Sequence, residues 1–470
     1  MQLEVKKNTK KLLLIVMIAG CFLSTLNQTL LNVALSDLMV IFNVAPATIQ
    51  WLATGFMLVN GIMVPLTAFF MKRFTTRQLF ISSMLFILIG SIVSACAMNF
   101  GVLLTGRMIQ AAGAGIIIPL MMTVILYLYP VEERGAAMGK VGFAIIFAPA
   151  IAPTIAGYIL EYVSWRWLFI GLIPFISIII LLAYKYLFNV AETSKVKLDV
   201  LSVIYSSVGF GFLLFGFSSA GSRGWGDWLV ITTIAVGLGT TVLFYKRQIA
   251  SNDPLLNMSV FKYKMFTMTT IVNIAVTILM YADLILLPIY LQDGQGFTAL
   301  EAGLLLLPGA IINAFLSPVT GKLFDKYGAK PLFIIGMSLI AFSMWSVIDL
   351  TSSTTYMYVL VRTIILRIGL SFITMPLNTA ALNALPRELG AHGSAINNTI
   401  RQLAGAVGTA VIVTIYTIQS LSHAKGSNAG QISAASDTYF YMLLIAIVGL
   451  IIVFFVPKKT SMVQEKDSMN

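Results

Sequence analysis

The sequence predicts an all-α polytopic membrane protein of 14 transmembrane helices: two pseudo-symmetric six-helix bundles plus two additional central helices. Three observations predict it. Hydrophobic residues fill 58% of 470 positions, charged residues only 10%, and mean hydropathy is +0.92. A soluble chain would carry roughly a quarter charged residues. Fourteen apolar runs approach the about 20 residues that a bilayer core requires. The chain also repeats itself: GKLFDKYGAKPLF at 321–333 echoes AFFMKRFTTRQLF at 68–80, an offset of 253. Arg107 with Arg362, Pro119 with Pro376, and Glu133-x-Gly135 with Glu388-x-Gly390 keep nearly that spacing. Two similar halves imply bundles that rock about a central site.

The first run, 12–34, follows Lys6, Lys7, Lys10 and Lys11. It is too long for a signal peptide and lacks a small-residue cleavage site, so it reads as a retained span. Runs 48–70, 78–98, 101–128, 137–159 and 166–188 complete a first bundle within 1–190. Runs 200–219 and 229–247 occupy a central unit, 191–260. The mixed-charge stretch Glu192 to Asp199 and the polar stretch Lys246 to Lys264 bound that unit. Its connection, 218–227, is Gly-rich and carries Trp225 and Trp228, which reads as a wet loop with an aromatic anchor. Runs 265–291, 301–321, 331–350, 355–380, 394–418 and 437–457 form the second bundle within 261–470. An offset near 254 maps the first run onto the ninth and the sixth onto the fourteenth.

Placing both termini inside leaves only Arg166, Arg223 and Lys425 in outer segments, while Arg107, Arg362, Arg367 and Arg401 fall within spans. The remaining cations lie inside, as the positive-inside rule requires. The net charge of +12 is therefore a topology signal and not a nucleic-acid footprint. Cys21 and Cys96 sit in apolar runs, which gives no disulfide framework. His392 and His423 are far apart, and neither zinc spacing nor a Walker loop is present. No cofactor is expected, and an ion gradient is the expected energy source.

Asp283 is the one carboxylate placed well within a span, about 12 Å from its outer end. An acid in the membrane is costly and therefore a functional candidate, here as proton carrier; the alternative is a pairing with an Arg. Asp37 is the rim acid that would replace it. Arg107, permanently charged, needs carbonyls, water or an acid, and could organise Asn27 and Gln110. Arg362 and Arg367 occupy the matching span, as anchors or as functional cations. Arg401 reads as a snorkelling side chain at the inner end of the thirteenth span.

Ser24, Gln28 and Asn32 recur every four residues on one face. With Asn273, Tyr281, Asn313 and Asn378 they suggest a wet central path; Asn383 is a further cavity candidate. Interhelical amide bonding is the plainer explanation for each Asn. The 23 Met and 30 Phe suit an adaptable apolar pocket. In the fifth span Pro149 and Pro153 remove backbone donors, while Gly142 and Gly157 permit close contact. In the connector that opens at Gly321, Asp325 pairs with Lys322 or Lys326 as an inner latch. The first copy carries Ala68 and Lys72 at the matching positions.

Several of these segments together resemble the major facilitator superfamily, and more narrowly its fourteen-span drug:proton antiporters. LNQTLLNVAL (26–35) resembles that family's opening motif, with Asn27 where an acid usually stands. WLATGFMLVNGIMVPLT (51–67) resembles its second span; Arg107, Gln110, Gly113 and Gly115 match its proton-coupling motif. Residues 152–157 (APTIAG) are a softened antiporter motif, and Trp165–Phe169 and Leu287–Gln292 also recur there. The resemblance covers nearly the whole chain and is nearest to Gram-positive multidrug and lincomycin-type exporters. It implies a monomeric exporter of amphipathic or cationic drugs in a bacterial cytoplasmic membrane, with protons and membrane lipids as its other partners. Two alternatives stand beside it. One is an exporter dedicated to one metabolite or lipid; the other is a polytopic receptor or lipid-modifying enzyme.

Overall fold

Polar residues at the ends of the apolar runs fix where the helices start. Thr75 with Gln78 and Thr298 with Glu301 form capping boxes, and Asn99, Asp227 and Thr355 cap their helices singly. Each satisfies backbone donors that the first turn leaves unpaired. Gly328, at φ 79°, ends one helix and starts the next in a conformation that favours glycine.

The structure, a computed structural model, describes residues 7–190, 199–251, 253–351, 353–422 and 428–457. Lys6, residues 192–198 of the mixed-charge stretch, His423 and Lys425 lie outside the described residues. Fourteen long apolar helices follow one another: α1 (Lys7–Ile41), α2 (Trp51–Arg73), α3 (Thr76–Ala95), α4 (Phe100–Leu128), α5 (Val131–Tyr162), α6 (Trp167–Tyr186), α7 (Val200–Arg223), α8 (Trp228–Ala250), α9 (Lys264–Ile289), α10 (Ala299–Tyr327), α11 (Ala329–Trp345), α12 (Tyr356–Asn383), α13 (Gly390–Ser422) and α14 (Asn428–Phe454). Thirteen are long enough to cross a membrane by themselves, and α11 is shorter. The chain is a multi-pass membrane protein.

One buried core draws on residues from Leu13 to Leu187, joined by Met375, Leu382 and Ala391 of the second half, and another on residues from Met265 to Val456. A smaller core around Leu66, Phe210, Phe244, Leu256, Phe266 and Ala395 joins α7, α8 and the segment after them to both. Lys72, Arg73, Arg134, Lys140, Lys185, Arg247, Lys322 and Lys326 cluster at one end of the helices, here called the basic face.

Several helices outrun the apolar stretches that announce them. α10 continues to Tyr327, and α13 begins at Gly390, four residues before its predicted start. α7 continues to Arg223, which replaces most of the expected wet loop with helix. That turn does more than anchor. The Trp225 Nε1 donates to Thr414 Oγ1 on α13 at 2.5 Å, Phe215 stacks on Trp51 of α2, and Leu214 fills the space above Gly61. The central pair thus straddles both bundles. At its basic end Arg247 forms a two-point ion pair with Asp199, at 2.8 and 2.9 Å. The guanidinium holds the Asp199 carboxyl well below the usual carboxylate range.

Candidate functional site: a clamped basic face and two buried arginine centres

The bundles meet most closely where α5 crosses α10. A Cβ added at Gly321 would fall on the Gly135 carbonyl oxygen, and one at Gly135 on the Asp325 carboxylate. Only glycines allow this approach. Asp325 uses it: its two oxygens accept the backbone N–H groups of Gly135 and Ala136, each at 2.7 Å. The N-terminal end of α5, with its partial positive charge, favours an anion there. The expected Asp325–Lys326 pair is therefore corrected. Lys326 lies over the Tyr327 ring, 5.1 Å from its centre, and the latch is carboxylate to backbone. Lys322 forms no ion pair among the described residues.

Other bonds tighten the same end. Ser317 donates to the Gly139 carbonyl (3.0 Å), Arg134 to Asn383 Oδ1 (2.9 Å), Ser394 to the Pro119 carbonyl (3.2 Å) and Tyr127 to the Arg387 carbonyl (3.0 Å). All engage the basic halves of their helices. Gly142 packs against Ser317 and Met375, whereas nothing lies within 4 Å of a Cβ at Gly157, so the close contact expected at Gly157 is absent. α5 runs uninterrupted through Pro149 and Pro153. On the symmetry-related side Lys72 stands where an acid would be, and no ion pair of Lys72 forms among the described residues.

Arg107 and Arg362 are both fully buried and mark the two bundles at matching places. In the first, Arg107 donates to the backbone carbonyls of Asn27 (3.1 Å) and Gln28 (3.5 Å) and to Gln110 Oε1 (2.9 Å), and lies 4.3 Å from the Phe56 ring centre. Gln110 donates onward to Ser91. The Asn27 side chain takes no part: its Nδ2 has no partner. In the second, Arg362 donates to Asp283 Oδ1 at 2.5 Å and to the Ser343 carbonyl at 3.2 Å. Tyr439 donates to the same Asp283 oxygen at 3.3 Å, and Arg367 lies 3.9 Å from Oδ2. Oδ2 itself accepts no hydrogen bond. Asp283 is 0% exposed, so water does not face it in this conformation. Asp283 and Arg107, expected to act together, belong to separate bundles. Asp37 is exposed near the end of α1.

The expected substrate residues divide. Asn273 donates to Asn397 (3.0 Å), which donates to Asn378 (2.6 Å). All three are buried and bond each other, which ties α9, α13 and α12 together. Asn383, bonded to Arg134, belongs to the basic-face closure. Tyr281 packs on Gly405. Ser24 is buried, Gln28 half-buried and Asn32 exposed, so that stripe opens progressively away from the basic face. Asn313 is buried with its Oδ1 unpartnered.

Two features escaped sequence reasoning. Phe143 and Phe147 on α5 stack at 5.1 Å and meet Phe315 of α10 at 5.3 and 6.1 Å, while Phe22 of α1 stacks on Phe147 at 6.4 Å. The four-residue spacing of Phe143 and Phe147 was the only signal in the sequence. Arg401 is the second. Because α13 starts at Gly390, Arg401 lies about 16 Å along it, a third of the way through its 33 residues, and not at its inner end. It donates to Asn398 Oδ1 at 3.2 Å and lies within electrostatic reach of Cys21 on α1.

Comparison with known proteins agrees with this architecture. Residues 17–409 match the Major Facilitator Superfamily. The chain is 45% identical over 449 residues to the uncharacterized MFS-type transporter YhcA of Bacillus subtilis (strain 168), covering 95% of this chain and 84% of that one. It is 41% identical over 453 residues to the lincomycin resistance protein LmrB of the same organism, covering 94% of each. Among solved structures, the proton:xylose symporter XylE shares the fold at a TM-score of 0.68 and 16% identity, over 98% of this chain and 99% of that chain. Two bundles closed at one face, with a buried arginine at the same place in each, thus belong to a chain that is a transporter of the major facilitator superfamily.

Proposed function

We propose that the protein is a proton-coupled exporter of multiple amphipathic compounds that works by alternating access. Asp283 carries this reading: among the described residues it is the fully buried carboxylate of the membrane interior, shared by two arginines and a tyrosine. Protonation would remove the charge that Arg362 and Arg367 share and leave the two cations to repel each other. The contacts of α9 with α11, α12 and α14 would loosen, and the bundle would move. Arg107 organises the first bundle around carbonyls and Gln110 without an acid, so coupling belongs to the second bundle. The rocking units are 1–190 and 261–470, with 191–260 as the inserted pair. By the positive-inside rule the basic face and both termini are cytoplasmic, and the conformation described here is closed on that side. Gln28, Asn32 and Asn313 are the polar candidates along the path, with Tyr281 at its edge. We take the exporter to be a monomer of the cytoplasmic membrane, using the proton gradient and no cofactor.

The expectation of cationic cargo has less support. Asp283 is already engaged by two arginines, and Asp437, the other carboxylate well inside a described span, is not free either.

The test is drug-evoked proton efflux from acid-loaded proteoliposomes. Wild type should show efflux, and Asp283→Asn should lose it while still binding drug. Full coupling in Asp283→Asn would remove Asp283 as the carrier and leave Asp37 as the next acid to test. Competition among unrelated compounds separates a multidrug exporter from one dedicated to a single substrate.

A further inference from the structure

We infer that the path between the bundles selects aromatic amphipaths with an anionic head over cationic ones, with Arg401 as the residue that sets the charge preference. This deepens the exporter reading and rests on it for the path itself.

The interior holds four arginines on the described helices, Arg107, Arg362, Arg367 and Arg401, against two carboxylates, Asp283 and Asp437, neither of them free. Their surroundings differ. Arg107 is enclosed by two carbonyls, Gln110 and Phe56. Arg362 and Arg367 share Asp283. Arg401 is half-buried, pairs with no carboxylate among the described residues and has Asn398 as its hydrogen-bond acceptor. An arginine cannot shed its charge in a protein, so one held three turns into a span without an acid needs water or an anion. A guanidinium presents its donors in a planar fork that matches a carboxylate.

The aromatic residues lie at a similar distance from the basic ends of their own helices. Phe22, adjacent in sequence to Cys21, stacks on Phe147, and Phe143 and Phe315 complete the group. Counting from the basic ends of α1, α5 and α10, these rings lie about 18–24 Å along their helices, and Arg401 about 16 Å along α13. Phe315 remains 60% exposed despite contact with two other rings, and the proposed ligand sits on that exposed face. A flat apolar body can stack there while its acidic head reaches across to Arg401. A cationic head would meet a surplus of positive charge at the same position, with no free acid to offset it.

The test uses a matched pair of probes, pyrenebutyrate and pyrenebutyltrimethylammonium, titrated by fluorescence polarisation. The full-length protein is held in phosphatidylcholine nanodiscs, with empty discs as the control. Wild type should bind the carboxylate about tenfold more tightly than the cation, the scale of one partly screened charge contact. Arg401→Gln should abolish that preference and Arg401→Lys should keep most of it. Equal or tighter binding of the cation by wild type overturns the inference, and so does a preference that survives in folded Arg401→Gln. Binding of neither probe by the folded wild type also overturns it. The wild-type comparison decides the charge preference even where the Gln variant does not fold. Proton efflux is read separately: anion binding without coupled flux would defeat the exporter reading alone, and coupled flux of the cation in preference would defeat this inference alone.

Discussion

Replacing Asp325 by Asn should open the basic face. The carboxylate accepts two backbone N–H groups at 2.7 Å, one on each oxygen, across the interface between the bundles. An amide offers only one acceptor oxygen, and its NH2 group would face a backbone donor. Hydrogen bonds to a charged group contribute about 1.5–3 kcal/mol each. Losing one and weakening the other therefore costs the closed state about 3 kcal/mol, a shift of roughly 100-fold in the conformational equilibrium. The assay is electron–electron distance measurement between spin labels at Arg73→Cys and Lys322→Cys, two exposed positions on opposite bundles of the basic face. The background must lack the two native cysteines, Cys21 and Cys96. The distribution should gain a long-distance population in Asp325→Asn. Gly321→Ala should move it the same way, because its methyl would fall on the Gly135 carbonyl. A distribution in Asp325→Asn that coincides with wild type would refute the latch and leave the glycine crossing as the only closure.

Two further outcomes follow from the contacts described. Asn397→Ala leaves the Asn273 amide donor and the Asn378 acceptor buried without each other's intermediary. Thermal stability in detergent should fall by about 1–3 kcal/mol while drug affinity stays within twofold of wild type; the reverse pattern would return these residues to the substrate path. The Asp199–Arg247 pair makes a pH prediction of definite sign. Its folded carboxyl lies below the ordinary value, so its contribution is complete at neutral pH and is lost only as pH falls below about 4. Hydrogen exchange at the start of α7 should be the same relative to an Asp199→Asn control at every pH from 8 to 5 and converge on that control only in strong acid.

Much of the architecture was legible because the bilayer imposes it. A span must satisfy its backbone internally, so apolar length, charge placement and the repeated connector determine helix count, polarity and the relation of the halves. The burial of Arg107, Arg362 and Asp283 was legible for the same reason, since charges in apolar runs cannot face lipid. Partnership was not. Sequence spacing suggested Lys326 for Asp325 and set Asp283 beside Arg107. The structure gave Asp325 to the α5 backbone and Asp283 to Arg362. Those choices depend on how two bundles approach, and the approach depends on glycines 135 and 321 meeting across some 190 residues of chain. Helix ends were similarly undecided, because beyond the apolar core continued helix and loop satisfy the backbone equally well until tertiary contacts choose. Starting α13 at Gly390 placed Arg401 about three turns inside its helix. The sequence alone determined that this protein crosses a membrane as two related halves with buried arginines. Only the tertiary structure decided which acid meets which arginine, which face is closed and which buried cation stands without an acid, because each depends on packing between helices that local pattern does not encode.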